Sequence, residues 1–278
     1  MIRITVPATS ANLGIGYDTL GMAVSLYAHF TFDHADALTI TGCPEEFRNE
    51  ENLVYQSFEQ ALDAWGMKPF PIALDIQTEI PVARGLGSSS TCVVAGIMGA
   101  AALTRHTVTR EELVAMATAI EGHPDNVAPA LLGAAVCSFT PAGELPRCLR
   151  YDVSERLRFI TVIPPYEVHT SEARKVVPQE VPLSTAVWQM GRIAGLTRGL
   201  ETGDADLIAA ANDDRLQEPY RLRRHPHRVP RGRSENAVDL GLGLDTHGGH
   251  GRHHRGEVPP GALARGVPCL QDVYPDLR

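Results

Sequence analysis

The sequence predicts an α+β fold built in two layers. Short segments of alternating apolar residues, suited to strands, are interleaved with segments of helical period. The stretch 89–103 is small and apolar almost throughout, as in a helix buried on most sides. At 278 residues the chain can form one large or two medium domains with a real core.

The elements follow in order. Residues 2–6, 27–32 and 37–41 read as strands, and 52–65 reads as an amphipathic helix opening after Asn49-Glu50-Glu51-Asn52. A strand at 72–78 leads into a glycine-serine run and then the apolar helix. Thr109-Arg110-Glu111-Glu112 has the form of a capping box before a helix at 110–121. Pro124-Asp125-Asn126 breaks the pattern, and the apolar stretch 127–139 is split by Gly133 into a helical half and a strand half. A strand is predicted at 158–163, Pro164-Pro165 marks a change of substructure, and helices follow near 171–177, 184–200 and 204–213.

Composition narrows the function classes. No stretch reaches the roughly 20 apolar residues of a bilayer span, and the first residues enter a strand pattern directly, so neither a membrane protein nor a signal peptide is expected. Five cysteines, at 43, 92, 137, 148 and 269, are scattered without metal or redox spacing, which suits a reduced cytoplasmic setting. Net charge is −8, unevenly spread: residues 1–222 balance to −11 and residues 223–278 to +3. An acidic main body disfavours binding to a phosphate backbone, so nucleic acid is not an expected partner.

The run Pro81-Val82-Ala83-Arg84-Gly85-Leu86-Gly87-Ser88-Ser89-Ser90-Thr91 carries the most chemistry. Two glycines let backbone approach a ligand, and hydroxyls sit where the apolar helix begins. Unpaired N–H groups and about half a positive charge at a helix start suit a nucleotide phosphate. The run lacks the lysine of a P-loop, and taken alone it also fits a glycine turn with a serine cap. The run 7–18, Pro-Ala-Thr-Ser-Ala-Asn-Leu-Gly-Ile-Gly-Tyr-Asp, leaves the first strand and places Asn12 and Asp18 around a glycine-bearing turn. These two residues fit a polar-ligand loop or simple turn formation. Glu121-Gly122-His123-Pro124-Asp125-Asn126 offers a carboxylate suited to magnesium, or an ordinary helix end. Arg174 and Arg221 supply guanidinium groups, which match carboxylates with two parallel donors.

In this order and spacing, the runs at 7–14, 81–90 and 123–130 resemble homoserine kinase of the GHMP kinase superfamily, over roughly residues 1–222. The resemblance implies transfer of the γ-phosphoryl group of ATP to the side-chain hydroxyl of L-homoserine, on the route to threonine. It implies a two-lobe fold: an N-terminal ATP-binding lobe (1–150) like ribosomal protein S5 domain 2, and a ferredoxin-like C-terminal lobe. It implies ATP and Mg2+ as cofactors and a homodimer. By the same motifs, Pro81 to Thr91 wrap the phosphates, with N–H groups from Gly85 to Ser90 as donors, and Ser88 and Glu121 hold magnesium. Asn12, Asp18, His123 and Asn126 line the homoserine pocket, Arg174 and Arg221 hold its carboxylate or the γ-phosphate, and Asp18, Glu121 and Arg174 form the catalytic set.

The chain departs from that family near its end. The family's third signature, a glycine-serine loop of the kind Ser-Gly-Ser-Gly, is missing from this sequence, and Gly241-Leu242-Gly243-Leu244 is its nearest glycine pair. The second lobe is therefore expected to be partial, at 151–222, followed by an aberrant tail at 223–278 with 15 Gly or Pro and six His. A reading frame displaced near codon 222 accounts for both features, because 23 of the 25 basic residues are Arg, the mark of GC-rich coding. A rival reading makes the tail's His247-to-His254 run a metal site. The alternatives for the whole chain are a catalytically impaired nucleotide-binding remnant and a GHMP kinase for another small alcohol.

Overall fold

The computed structural model describes residues 1–161, 163, 170–224 and 241–242. Its main sheet has six strands: β1 (Ile2–Ala11), β2 (Leu20–His34), β3 (Thr39–Thr41), β4 (Ile72–Thr78), β5 (Ala135–Phe139) and β6 (Arg147–Tyr151). The long β2 is the spine of this sheet. Strand β1 runs antiparallel along one edge of it, while β4 pairs with residues 28–34 and β5 with residues 20–22 along the other.

Strand β4 matches its predicted bounds, but β1 and β2 extend well past theirs. The run from Pro7 to Ala11, read as a loop leaving the first strand, stays paired with Tyr27 to Gly21. Its register shifts between Pro7 and Ala8, so the proline, which has no N–H to give the ladder, sits at an irregularity. Small polar residues hid this half of the strand, because they break the apolar alternation while still lying buried in the sheet. Strand β6 was not foreseen, since its five residues carry two arginines and little buried surface.

Four helices cover the sheet: α1 (Leu53–Ala64), α2 (Ser88–Thr104), α3 (Arg110–Glu121) and α4 (Pro124–Leu132). Asn52 caps α1 by accepting from the Val54 N–H, and Thr109 with Glu112 forms the expected capping box on α3. Helix α2 is buried nearly throughout from Ser90 to Ala102, as its composition predicts. Its Gly96 lies against the Val54 carbonyl and its Gly99 against the Phe32 ring, so these small residues allow close approach to α1 and β2. Phe30, Phe32 and Phe58 fill the core between the layers, each contributing about 1.5–3 kcal/mol by burial.

Pro124-Asp125-Asn126 does not break the structure in the way expected. Gly122, at φ 91°, ends α3, and Pro124 then opens α4 at a first-turn position where its missing N–H is harmless.

A second core joins the start of β2 to the C-terminal helices. Leu13, Ile15, Leu20, Met22 and Ala135 pack with Leu157, Leu196, Leu200, Ile208 and Ala211. The last five come from the 155–160 segment, α6 (Leu183–Thr202) and α7 (Ala205–Ala211), which follow α5 (Thr170–Lys175). Helix α8 (Glu218–Arg224), unforeseen in sequence, closes the described helices. The strand expected at 158–163 is short, β7 (Phe159–Ile160), paired antiparallel with β8 (Gly241–Leu242). Pro164-Pro165, the His247-to-His254 run and the rest of the expected tail lie outside the described residues, apart from Arg223, Arg224, Gly241 and Leu242.

Candidate active site

Three loops meet at the N-terminus of α2. Gly87, at φ 65°, leads into that helix in a left-handed conformation with no side chain to cap it, so the first-turn N–H groups face outward by helix geometry. Ala83 and Gly85 are also left-handed, at φ 55° and 75°. Alternation of this kind turns successive N–H groups into a concavity suited to an anion. The Thr9 N–H donates to the Leu86 carbonyl at 3.1 Å, and Leu86 is buried, which ties the loop to β1.

The residues of this run divide. Ser88 is half-buried, Ser89 is exposed, and Ser90 has no accessible surface. The Thr91 hydroxyl donates back to the Ser88 carbonyl at 2.8 Å and its N–H donates to Gly87, so both its donors are engaged inside the helix. Val82 projects into solvent.

The hydroxyl that meets Glu121 belongs to Ser89, which donates to its Oε2 at 2.9 Å. The resemblance implies Ser88 and Glu121 as the magnesium ligands, and the serine hydroxyl bonded to Glu121 in this structure is that of Ser89. One residue along a helix turns a side chain by about 100°, so adjacent serines at a helix start face different ways, which motif spacing alone does not resolve. Cradle and third loop are also stitched together, since Thr9 Oγ1 donates to Asn126 Oδ1 at 2.8 Å. A Cβ placed on Gly87 would collide with that Thr9 oxygen.

On the far side lies a charged cluster. Arg174 donates from Nη1 and Nη2 to the two carboxylate oxygens of Asp18, at 2.9 and 2.7 Å. Asn12 Oδ1 accepts from the Asp18 N–H at 2.9 Å, so Asn12 shapes the loop that presents Asp18. Asn12, Leu13 and Asp18 all have positive φ, a strained combination for residues other than glycine. Tyr17 stands beside both expected arginines: Arg174 lies 5.9 Å and Arg221 5.4 Å from its ring centre. Burial, followed by the charge of Asp18, raises the Tyr17 hydroxyl above its usual range despite both guanidinium groups.

His123 sits between the two halves. Its Nδ1 is 2.5 Å from Asp125 Oδ1, and Asp125 is almost completely buried. Burial pushes the imidazole down, but the Asp125 hydrogen bond and charge, with Glu121 helping, outweigh it and leave His123 raised above 6.5. Arg174 acts in the opposite direction, which places its guanidinium within electrostatic reach of the ring.

The structure links Ser89 with Glu121, Thr9 with Asn126 and Arg174 with Asp18, sets Arg174 and Arg221 beside Tyr17, and turns Thr91 and the Ser90 hydroxyl inward. Sequence reasoning gave no role to Thr9, Tyr17 or Asp125. Asp125 had a signal in the sequence, an acid two residues beyond a histidine, whereas Thr9 reads as ordinary strand.

Known proteins resemble this chain in sequence and in fold. The family model for the GHMP kinases N terminal domain matches residues 52–134, which hold the cradle and Glu121. A homoserine kinase of Clostridium beijerinckii is 42% identical over 228 residues, covering 81% of this chain and 76% of the relative. The crystal structure of homoserine kinase from Cytophaga hutchinsonii superposes with a TM-score of 0.66 at 30% identity, over 79% of this chain and 73% of that one. Streptococcus pneumoniae phosphomevalonate kinase, at 15% identity and a TM-score of 0.61 over 76% of each chain, shares the fold. With its α+β GHMP kinase fold and this degree of identity over most of its length, the chain belongs to the homoserine kinase family.

Proposed function

We propose that this protein transfers the γ-phosphoryl group of ATP to the side-chain hydroxyl of L-homoserine, giving O-phospho-L-homoserine for threonine biosynthesis. The observation that carries the reading is the pairing of an anion cradle at α2 with an acid and a guanidinium, Asp18 and Arg174, that complement the two charges of an amino acid.

The residues present fit a magnesium nucleotide. The uncapped N-terminus of α2, and a cradle that a Cβ on Gly87 would fill, suit phosphate oxygens. Ser89 and Glu121 are hard oxygen donors at the same helix end, and magnesium takes few protein ligands beside phosphates. We assign the metal to Ser89 and Glu121, with Ser88 facing the phosphates. When bound, Mg2+ neutralises charge on the β- and γ-phosphates.

The chain's own residues do the positioning. Phosphoryl transfer passes through a loose transition state, so orientation and charge neutralisation supply most of the acceleration and a strong base is not required. Asp18 receives the homoserine ammonium or hydroxyl, and Arg174 and Arg221 hold its carboxylate. Asp125 favours the protonated form of His123, whose imidazole lines the homoserine side of the site. Asn12 and Asn126 hold the walls of the pocket through their loop contacts.

A division into lobes at 1–150 and 151–222, a homodimer and a cytoplasmic location belong to the same proposal. Among the described residues no helix is long and apolar enough to cross a membrane.

ADP release with homoserine, shikimate, mevalonate and galactose as separate acceptors tests the reading. Turnover confined to homoserine supports it, and turnover with another alcohol replaces it.

The missing glycine-serine signature favours a second reading, a nucleotide-binding remnant with impaired catalysis. It makes a check at the level of the gene. Shifting the coding sequence after codon 222 restores a Ser-Gly-Ser-Gly loop if the frame is displaced, and neither alternative frame holds one if it is not.

A further inference from the structure

Loop 12–18, which carries Asn12 and Asp18, is not held by its own turn alone. Three buried polar side chains outside the motifs reach it or brace it: Gln189 on α6, with Asp214 and Gln217 just before α8. Gln217 Nε2 donates to the Gly14 carbonyl at 2.7 Å, and Gln189 Nε2 donates to the Ile15 carbonyl at 3.2 Å. Gln189 Nε2 also donates to Asp214 Oδ1 at 2.6 Å. Asp214 Oδ2 accepts from the Gln217 and Glu218 N–H groups, both at 2.7 Å, which fixes the start of the helix bearing Arg221. The circuit is completed where the Arg215 N–H donates to Gln189 Oε1 at 3.2 Å.

The same few atoms therefore tie the Asp18 loop to α6 and to the helix of Arg221, which is itself buried and faces Tyr17. A purely stabilising role explains this poorly. Gln217 Oε1 is buried without a partner among the described residues, and a partly satisfied buried network adds little stability relative to apolar side chains of the same volume. What it supplies is a fixed separation.

We infer that Gln189, Asp214 and Gln217 form a latch of positioning residues that sets Asp18 against Arg221 and thereby determines binding of the amino-acid acceptor, but not of the nucleotide. The inference rests on the homoserine reading given above. Among the described residues neither glutamine hydrogen-bonds to the cradle, so loosening the latch moves acceptor groups while leaving the α2 N-terminus in place. A displacement of about 1 Å at a reacting group changes rates by up to about a hundredfold, so modest loop motion suffices.

The test uses the full chain, with Gln217→Met as the main variant and Gln189→Met as the second; each removes an amide donor at similar volume. Hydrogen exchange is followed at the loop amides, which include Gly16 N–H to Asn12 and Asp18 N–H to Asn12 Oδ1. Titrations with L-homoserine and with ADP, and thermal unfolding, are run on the same samples. The latch predicts faster exchange in the loop, an acceptor Kd raised about tenfold or more, and an unchanged ADP Kd. Unchanged loop exchange in both variants overturns it, as does equal weakening of both ligands alongside a general fall in Tm. If the unmodified chain takes no homoserine, the functional reading fails instead, and loop exchange alone then decides whether the latch exists.

Discussion

Arg174 grips Asp18 with two parallel hydrogen bonds, 2.9 and 2.7 Å long, joining positions 156 residues apart. Both side chains keep about a third of their exposure, at 33% and 32%, so solvent weakens the pair and it adds little to stability. In the function proposed above its use is in recognition: an amino acid would offer an ammonium to Asp18 and a carboxylate to Arg174, and so substitute for each partner in turn.

Asp18→Asn keeps the shape and removes the charge. The homoserine KM is expected to rise about 10- to 100-fold, matching the about 1.5–3 kcal/mol of a charge-assisted hydrogen bond, with a smaller change in kcat. Steady-state kinetics at saturating ATP checks this. A collapse of kcat at constant KM would instead make Asp18 the proton acceptor.

The two adjacent serines separate by metal dependence. Ser89→Ala removes the hydroxyl bonded to Glu121 and is expected to raise the Mg2+ concentration for half-maximal activity more than Ser88→Ala does. Magnesium titration of both variants decides the assignment, and the opposite order returns the metal to Ser88.

Gly87→Ala confronts a left-handed φ of 65° and a collision with Thr9 Oγ1. The conformational strain alone costs about 1–2 kcal/mol. Thermal unfolding should show a lower Tm, and nucleotide titration a weaker ATP affinity, because the shift falls at the cradle.

His123 carries the pH dependence. Its imidazole is raised above 6.5 in the folded protein, so the stabilisation from its protonated pairing with Asp125 is complete below about pH 6.5 and fades as pH rises through the folded value. Asp125→Asn removes the main raising influence and leaves burial and Arg174 against the weaker effect of Glu121, so an NMR titration should find His123 below 6.5 in that variant.

Much of this site was legible in the sequence because its chemistry lies in short contiguous runs. Gly85 to Ser90, Asn12 to Asp18 and Glu121 to Asn126 each bring their own turn residues, and turns are encoded locally. The capping box at Thr109 and the buried character of α2 were readable for the same reason. Long-range pairings were not. The bridge from Thr9 to Asn126 spans 117 residues and that from Gln217 to Gly14 spans 203, and no local pattern announces either. Rotation about a helix start placed Ser89 rather than Ser88 on Glu121, a detail that depends on where α2 begins. Pro7 to Ala11 read as loop because the pairing that makes it a strand comes from β2, outside the run itself.

Detection of O-phospho-L-homoserine by phosphorus NMR, in a mixture of this chain, ATP, Mg2+ and L-homoserine, tests the central claim most directly. A homoserine kinase forms ADP and the phosphomonoester in equal amounts, and neither without homoserine. Tight binding of ATP with no phosphomonoester formed would contradict it, and would identify the chain as a nucleotide-binding remnant.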